Sequence, residues 1–423
     1  MIRPQNNTFR KAVEYSGPWD FRKDPGNHGL RKGWSKGFKK EKSLRVPASW
    51  NEQAPDLWDY LGPAWYQKNF SYTPSPKQGK SFIRFGSVNY HATVWINGRK
   101  LGTHEGGHLP FDFEITQVLK KGANRLVVRV EGLLKPNRVP PGNVPFDPRD
   151  AFANSFNPPA SFDFFPYCGI QRPVTLFTIP EKGIRDLSVT TRLQGRDGKV
   201  SVKVESDALS GASVRLTLAG FGAKASLQAP LASGKGEALL TLPKARLWAP
   251  SSPNLYSLKV ELLRHGKAVD QVELSVGIRT MRVQGGRLLL NGKPIFLKGF
   301  GRHEDYPGFG RYLPPKILKK DFALMKSLGA NSFRTSHYPY SEETLDLADR
   351  LGFLVIDETP AVGLFFKKEG LSRRLQLCRQ FTADMIRRDR NHSCVIAWSL
   401  ANEPHSKRPG ATAFFKNLTG LAR

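Results

Sequence analysis

A carboxylate at the end of an apolar run is the chemistry that stands out in this sequence. Cys394 to Pro404 read CVIAWSLANEP. The β-branched and aromatic residues after Cys394 have the character of a strand buried on both faces. The run stops at Asn402-Glu403-Pro404. In an α/β barrel the carboxyl ends of the strands carry the reacting groups. Desolvation at such a place is expected to raise the pKa of Glu403 and let it serve as a general acid near neutral pH. The chain stops soon afterwards, at Arg423, so a partner for Glu403 is expected upstream of it or not at all.

Three further apolar segments end in polar clusters. They are Gly299-Phe300-Gly301-Arg302-His303-Glu304-Asp305, Arg334-Thr335-Ser336-His337-Tyr338-Pro339 and Asp357-Glu358-Thr359. Four strands that deliver polar groups at one end are more specific than any single motif. Plainer roles exist for some of these residues. Asp357 and Glu358 could cap a helix or sit in salt bridges, because buried charges tend to be paired. His303 could be structural or a metal ligand, but no His-x-x-x-His spacing supports a metal. A Ser/His/Asp triad would need Gly-x-Ser-x-Gly, which does not occur.

The elements that must position these groups follow a change of pattern along the chain. Up to about residue 180, short alternating segments with Gly/Pro turns predict a β-sandwich or jelly roll. His91 to Ile96 runs into Asn97-Gly98, a strong hairpin signal. Leu134 to Pro166 is a long irregular stretch, and such loops are usually functional. From about 184 to 280, about seven alternating strands predict an immunoglobulin-like sandwich without its disulfide. Beyond 281, strands and helices alternate. Strands are expected at Pro294 to Phe300, Asn331 to Thr335, Phe353 to Ile356 and Cys394 to Leu400. Helices are expected at Lys316 to Leu328, after an N-cap at Ser341, and at Arg373 to Arg390. Four such units fit the first half of a (β/α)₈ TIM barrel. The domains are thus expected at 1–182, 183–280 and 281–423.

Composition narrows the setting. The 423 residues are 39% hydrophobic, and no apolar run reaches the roughly 20 residues needed to span a bilayer. The N-terminus has no apolar leader core, and Cys168, Cys378 and Cys394 are widely spaced, so a reducing, cytoplasmic setting is expected. Lys+Arg 65 against Asp+Glu 36 gives a net charge of +29. The basic residues are spread along the chain without a zinc-finger, RNP-type or basic-helix pattern, so neither a nucleic-acid nor a membrane partner is expected. Nucleic-acid binding stays open as an alternative on the net charge alone.

Several strings resemble glycoside hydrolase family 2. They are Ile2-Arg3-Pro4, Trp19-Asp20-Phe21, Trp95-Ile96-Asn97-Gly98, Phe162-Asp163-Phe164-Phe165, Leu247-Trp248-Ala249-Pro250, Val276-Gly277-Ile278-Arg279 and the four strand-end clusters. Within the family, Gly-Phe-Gly-Arg-His-Glu-Asp and Asp-Glu-Thr-Pro-Ala-Val-Gly are most similar to the branch that acts on β-glucuronides. The resemblance implies a jelly-roll sugar-binding domain, an immunoglobulin-like sandwich and a barrel that hydrolyses β-glucuronides with retention, without a cofactor or metal. It implies that Glu403 is the general acid/base and that Asn402 bonds the sugar 2-hydroxyl. It implies that Asp163 and His337 bind other hydroxyls, and that Arg334 and His303 support the site. Relatives are often oligomers, so a homo-oligomer is an expectation as well. The family's nucleophile, a glutamate in a Thr-Glu-Tyr-Gly-like context, has no counterpart after Glu403. This chain is therefore expected to lack turnover. The alternatives are another family 2 glycosidase, such as one acting on β-galactosides, and a non-catalytic carbohydrate-binding fragment.

Overall fold

The computed structural model describes residues 2–74, 79–143, 160, 162–208, 210–366 and 370–423. The first unit is an antiparallel sandwich. Its six-stranded sheet runs in the order Lys42–Val46, Gly17–Lys23, Pro63–Tyr72, Gly122–Glu131, His91–Ile96, Arg99–Glu105. A four-stranded sheet of Lys11–Glu14, Val174–Ile179, Lys80–Phe85 and Phe111–Glu114 faces it. Trp19, Phe21, Trp50, Tyr66 and Phe85 fill the space between the sheets. The expected hairpin forms: Asn97 at φ 52° and Gly98 at φ 81° give the left-handed pair that a tight β-turn of this twist needs. Much of the long Leu134 to Pro166 stretch (144–159 and 161) lies outside the described residues.

The second unit packs a three-stranded sheet, Ile184–Gln194, Asp197–Ser206 and Lys235–Leu242, on a four-stranded one. The latter contains Ala223–Pro230, Ala212–Gly220, Tyr256–Arg264 and Lys267–Val276. Alternate residues such as Val200, Val202 and Val204 are buried, as a sheet with one wet face requires. Trp248 leaves this unit and packs among Phe322, Phe333 and Leu354 of the third, its indole N–H donating to Asp349 O at 2.8 Å.

The third unit is a parallel four-stranded sheet with helices between strands. We number its elements β1 (Gly299–Gly301), α1 (Pro315–Ser327), β2 (Ser332–Arg334), α2 (Glu342–Leu351), β3 (Leu354–Glu358), α3 (Leu371–Asp389), β4 (Val395–Ser399) and α4 (Ala411–Ala422). The strands pair in sequence order, each parallel to the next. Ser341 caps α2 and Gly352, at φ 74°, closes it.

Two expectations need correction. The first barrel strand is only three residues long, because Lys293–Pro294 pairs back on Leu289 and Leu290 in a separate antiparallel sheet. Asn331 then takes the Lys298 N–H with its side chain, so the ladder of β1 starts only at Gly299. The second concerns β4, which is not buried on both faces. Val395 is buried but Ala397 is exposed. β4 is an edge of this sheet, and its residues after Val395 are only partly covered, with Ile396 and Trp398 packed against the flanking apolar clusters.

Ion pairs, two of them buried, link the units. Arg172 of the first sandwich donates to Glu304 Oε2 at 2.8 Å and to Pro339 O at 2.9 Å. Glu304 also accepts from Ser341 Oγ at 2.8 Å and Thr344 Oγ1 at 2.9 Å, at the start of α2. Arg10 meets Asp270 of the second sandwich at 2.6 Å. Arg387 and Arg390, at the end of α3, both reach Asp186.

Candidate active site

The carboxyl ends of β1 to β4 lie side by side and present the strand-end clusters together. His337 follows β2, and its Nδ1 lies 2.7 Å from Glu358 Oε1 at the end of β3. Ser399, the last residue of β4, donates to Glu358 Oε2 at 2.6 Å. Arg334 places its Nε 3.6 Å from the same oxygen, and its Nη2 donates to Asn402 Oδ1 at 3.3 Å. Glu358, at the end of β3, is fully buried and gathers groups from the two neighbouring strands, β2 and β4. Asn402 is fixed by its backbone: its N–H donates to Ala361 O and its carbonyl accepts from Gly363 N, both at 3.0 Å. This extends the parallel register one step past β4.

Asp357 and Glu358 part company, as neighbours on a strand must. Glu358 faces the site. Asp357 faces the end of α3, near Arg388 and Asp389, and accepts from Thr335 Oγ1, just past β2, at 3.1 Å. Burial, and then the nearby Asp389, push the Asp357 carboxyl well above the usual range. Asp357 is therefore structural, and Glu358 organises the site.

His303 follows β1. Its Nδ1 lies 3.1 Å from Tyr338 Oη, whose ring is buried beneath it. Burial lowers the pKa of His303, and the Arg311 guanidinium lowers it further, so the ring is neutral at pH 7. Arg311 stacks over Tyr338 at 3.9 Å from the ring centre and over Phe164 at 5.1 Å. It also donates to Phe165 O at 3.2 Å. This holds the Phe162 to Phe165 segment of the first sandwich against the barrel. Asp163 lies in that segment and meets both imidazoles: one donor atom from each of Asp163, His303 and His337 lies within 4.8 Å of the others.

Glu403 departs from expectation. It follows Asn402 with a left-handed φ of 44°, and its side chain is exposed rather than desolvated. The turn that carries it stands beyond the exposed end of β4, where no described element covers it. Asp163, His303, His337, Arg334 and Asn402 are brought together, with Glu403 next along the chain from Asn402. Sequence reasoning missed Ser399, Tyr338 and Arg311 as members of the site. Ser399 and Tyr338 stand in strings that were read. Arg311 comes from an irregular loop and gave no signal.

Aromatic rings, imidazoles, an amide and carboxylates gathered at the open end of a parallel barrel sheet, beside two β-sandwiches, define a class: a multidomain carbohydrate-active hydrolase. Three family descriptions cover nearly the whole chain. Residues 13–180 match "Glycosyl hydrolases family 2, sugar binding domain", 183–279 match "Glycosyl hydrolases family 2" and 281–423 match "Glycosyl hydrolases family 2, TIM barrel domain". The chain belongs to glycosyl hydrolase family 2. It is 38% identical to a β-glucuronidase of Paenibacillus borealis over all of its own length and 73% of that protein's. It is 34% identical to the human β-glucuronidase, covering 98% of this chain and 67% of that one. Among solved structures, a β-glucuronidase from Ruminococcus gnavus in complex with D-glucaro 1,5-lactone superposes with a TM-score of 0.91 at 35% identity, over 100% of this chain and 72% of that one.

Proposed function

We propose that this chain carries the sugar-binding and acid/base side of a retaining β-glucuronidase. The observation that supports this most strongly is the meeting of Asp163, from the first sandwich, with His303 and His337 from two strand ends. A loop from another unit lets the site approach one ring from a side that the barrel strands do not reach. Its neighbours support the following roles. His337, held by Glu358, offers its other ring nitrogen to a sugar hydroxyl, and Asp163 accepts from the adjacent one. Asn402, oriented by Arg334, bonds the 2-hydroxyl, a contact that strengthens as the anomeric carbon gains positive charge. Glu403 donates a proton to the leaving oxygen and then takes one from water. Its exposed position is where an aglycone would enter and cover it.

Retention also needs a second carboxylate about 5–5.5 Å from the first, to form the glycosyl intermediate. Glu304 and Glu358 are buried with their oxygens engaged, so neither is free to attack. The expected result for the purified 423-residue protein is binding of a glucuronate-like ligand without hydrolysis of a chromogenic β-glucuronide. Hydrolysis that disappears on Glu403→Gln would contradict the second half of that expectation. Hydrolysis of β-galactosides in preference to β-glucuronides would favour a different branch of the family.

A further inference from the structure

We propose that Asp163, His303 and His337 form a binding site for one zinc-class divalent cation, which competes with the sugar for the same side chains. Three protein donors with a fourth position left to water is the arrangement of open zinc sites. One donor atom from each residue lies within 4.8 Å of the others, and bonds of about 2 Å would draw them to roughly 3.3 Å apart by side-chain rotation.

The surroundings have the form of a metal site. A ligating imidazole almost always gives its other nitrogen to a carboxylate or another polar group, which fixes the ring. Here both rings do so. His337 Nδ1 lies 2.7 Å from the buried Glu358 carboxylate, and His303 Nδ1 lies 3.1 Å from Tyr338 Oη. Nε2 is the atom each ring has left. Two imidazoles and one carboxylate suit zinc, nickel or cobalt better than magnesium or calcium, which prefer oxygen. Arg311 opposes a cation here, and Glu358 and Asp305 offset it.

One other cluster of this kind occurs among the described residues: Asp349, His392 and Cys394. It is already spent on structure. His392 Nδ1 lies 2.6 Å from Asp349 Oδ2, Asp349 Oδ1 accepts the Cys394 N–H, and burial holds the thiol protonated. It is therefore a poor competitor for the ion.

Only the competition with sugar rests on the proposed function; the metal site itself does not. The test is calorimetric titration of chelator-treated full chain with zinc chloride, with and without D-glucaro 1,5-lactone. One zinc per chain is expected, weakened at least tenfold by His303→Ala and by His337→Ala. Glu358→Gln, which leaves all three ligands in place, is expected to weaken it about 10–100-fold. Far-UV circular dichroism confirms that each variant is folded, and cobalt in place of zinc gives an absorption band that does not depend on heats. No stoichiometric site, or one that neither histidine substitution changes, overturns the proposal. Lactone that binds equally well to zinc-loaded protein overturns the competition. Lactone that never binds counts against the proposed function and leaves the metal site standing.

Discussion

Glu358 is the residue on which the site turns. It is buried, it faces inward at the end of β3, and it joins His337, Arg334 and Ser399. A hydrogen bond to a charged group contributes about 1.5–3 kcal/mol, so its loss is expected to weaken binding of a glucuronate-like ligand by about tenfold or more. Glu358→Gln tests this by calorimetry, because it keeps the shape and removes the charge. Unchanged affinity would show that His337 is held by other means. At this scale the sequence told much. His303, Arg334, His337 and Asn402 stand in strings that end apolar runs, and period 2 puts Glu358 and Asp357 on opposite faces. The burial of Glu403 was misjudged because exposure depends on what packs beyond β4, and local pattern carries no record of that. Arg311 was invisible because it acts through aromatic faces brought in from a unit far away in the chain.

At the scale of elements, two junctions position the site. The first is Glu304, which ties Arg172 to the start of α2. Burial works against its charge, but Arg172 and the Ser341 hydrogen bonds outweigh it and hold the carboxyl below the usual range. Glu304→Ala would leave Arg172 buried without its partner. The expected cost is about 3–5 kcal/mol, read as a shift in the denaturation midpoint. The second junction is His392, before β4, against Asp349 at the end of α2. Burial disfavours the imidazolium, but Asp349 more than offsets this and raises the pKa from 6.5 to about 9. A raised pKa means that the folded state holds the proton more tightly than the unfolded one. This stabilisation is complete below about pH 6.5 and is lost as pH rises through about 9. It is worth on the order of 3 kcal/mol at about 1.4 kcal/mol per unit. Unfolding titrations at pH 6 and pH 9.5 are expected to differ by that much, and His392→Gln to remove most of the difference. The elements themselves were largely readable. Helix spacing, the Ser341 cap and the Gly352 stop located α2, while Pro294 and the side chain of Asn331 shortened β1 in a way that apolar content could not reveal.

At the scale of the molecule, the units are joined by charged pairs as well as by apolar contacts such as Trp248 in the barrel core and Leu109 and Val139 against Phe381 and its neighbours. Arg10–Asp270, Arg172–Glu304 and Arg387–Asp186 each cross a boundary. The order of units was legible from the switch between period 2 and period 3.6. Their docking was not, because each pair joins residues more than a hundred positions apart. That docking matters for function, since Asp163 reaches the barrel only if the first sandwich is locked to it. The most direct test is calorimetric titration of the zinc-free full chain with D-glucaro 1,5-lactone, alongside Asp163→Ala and His337→Ala. The wild-type chain is expected to bind one equivalent, and each substitution to weaken binding at least tenfold while the fold is kept. No binding by the wild-type chain, or equal binding by all three proteins, would contradict a sugar site shared between sandwich and barrel.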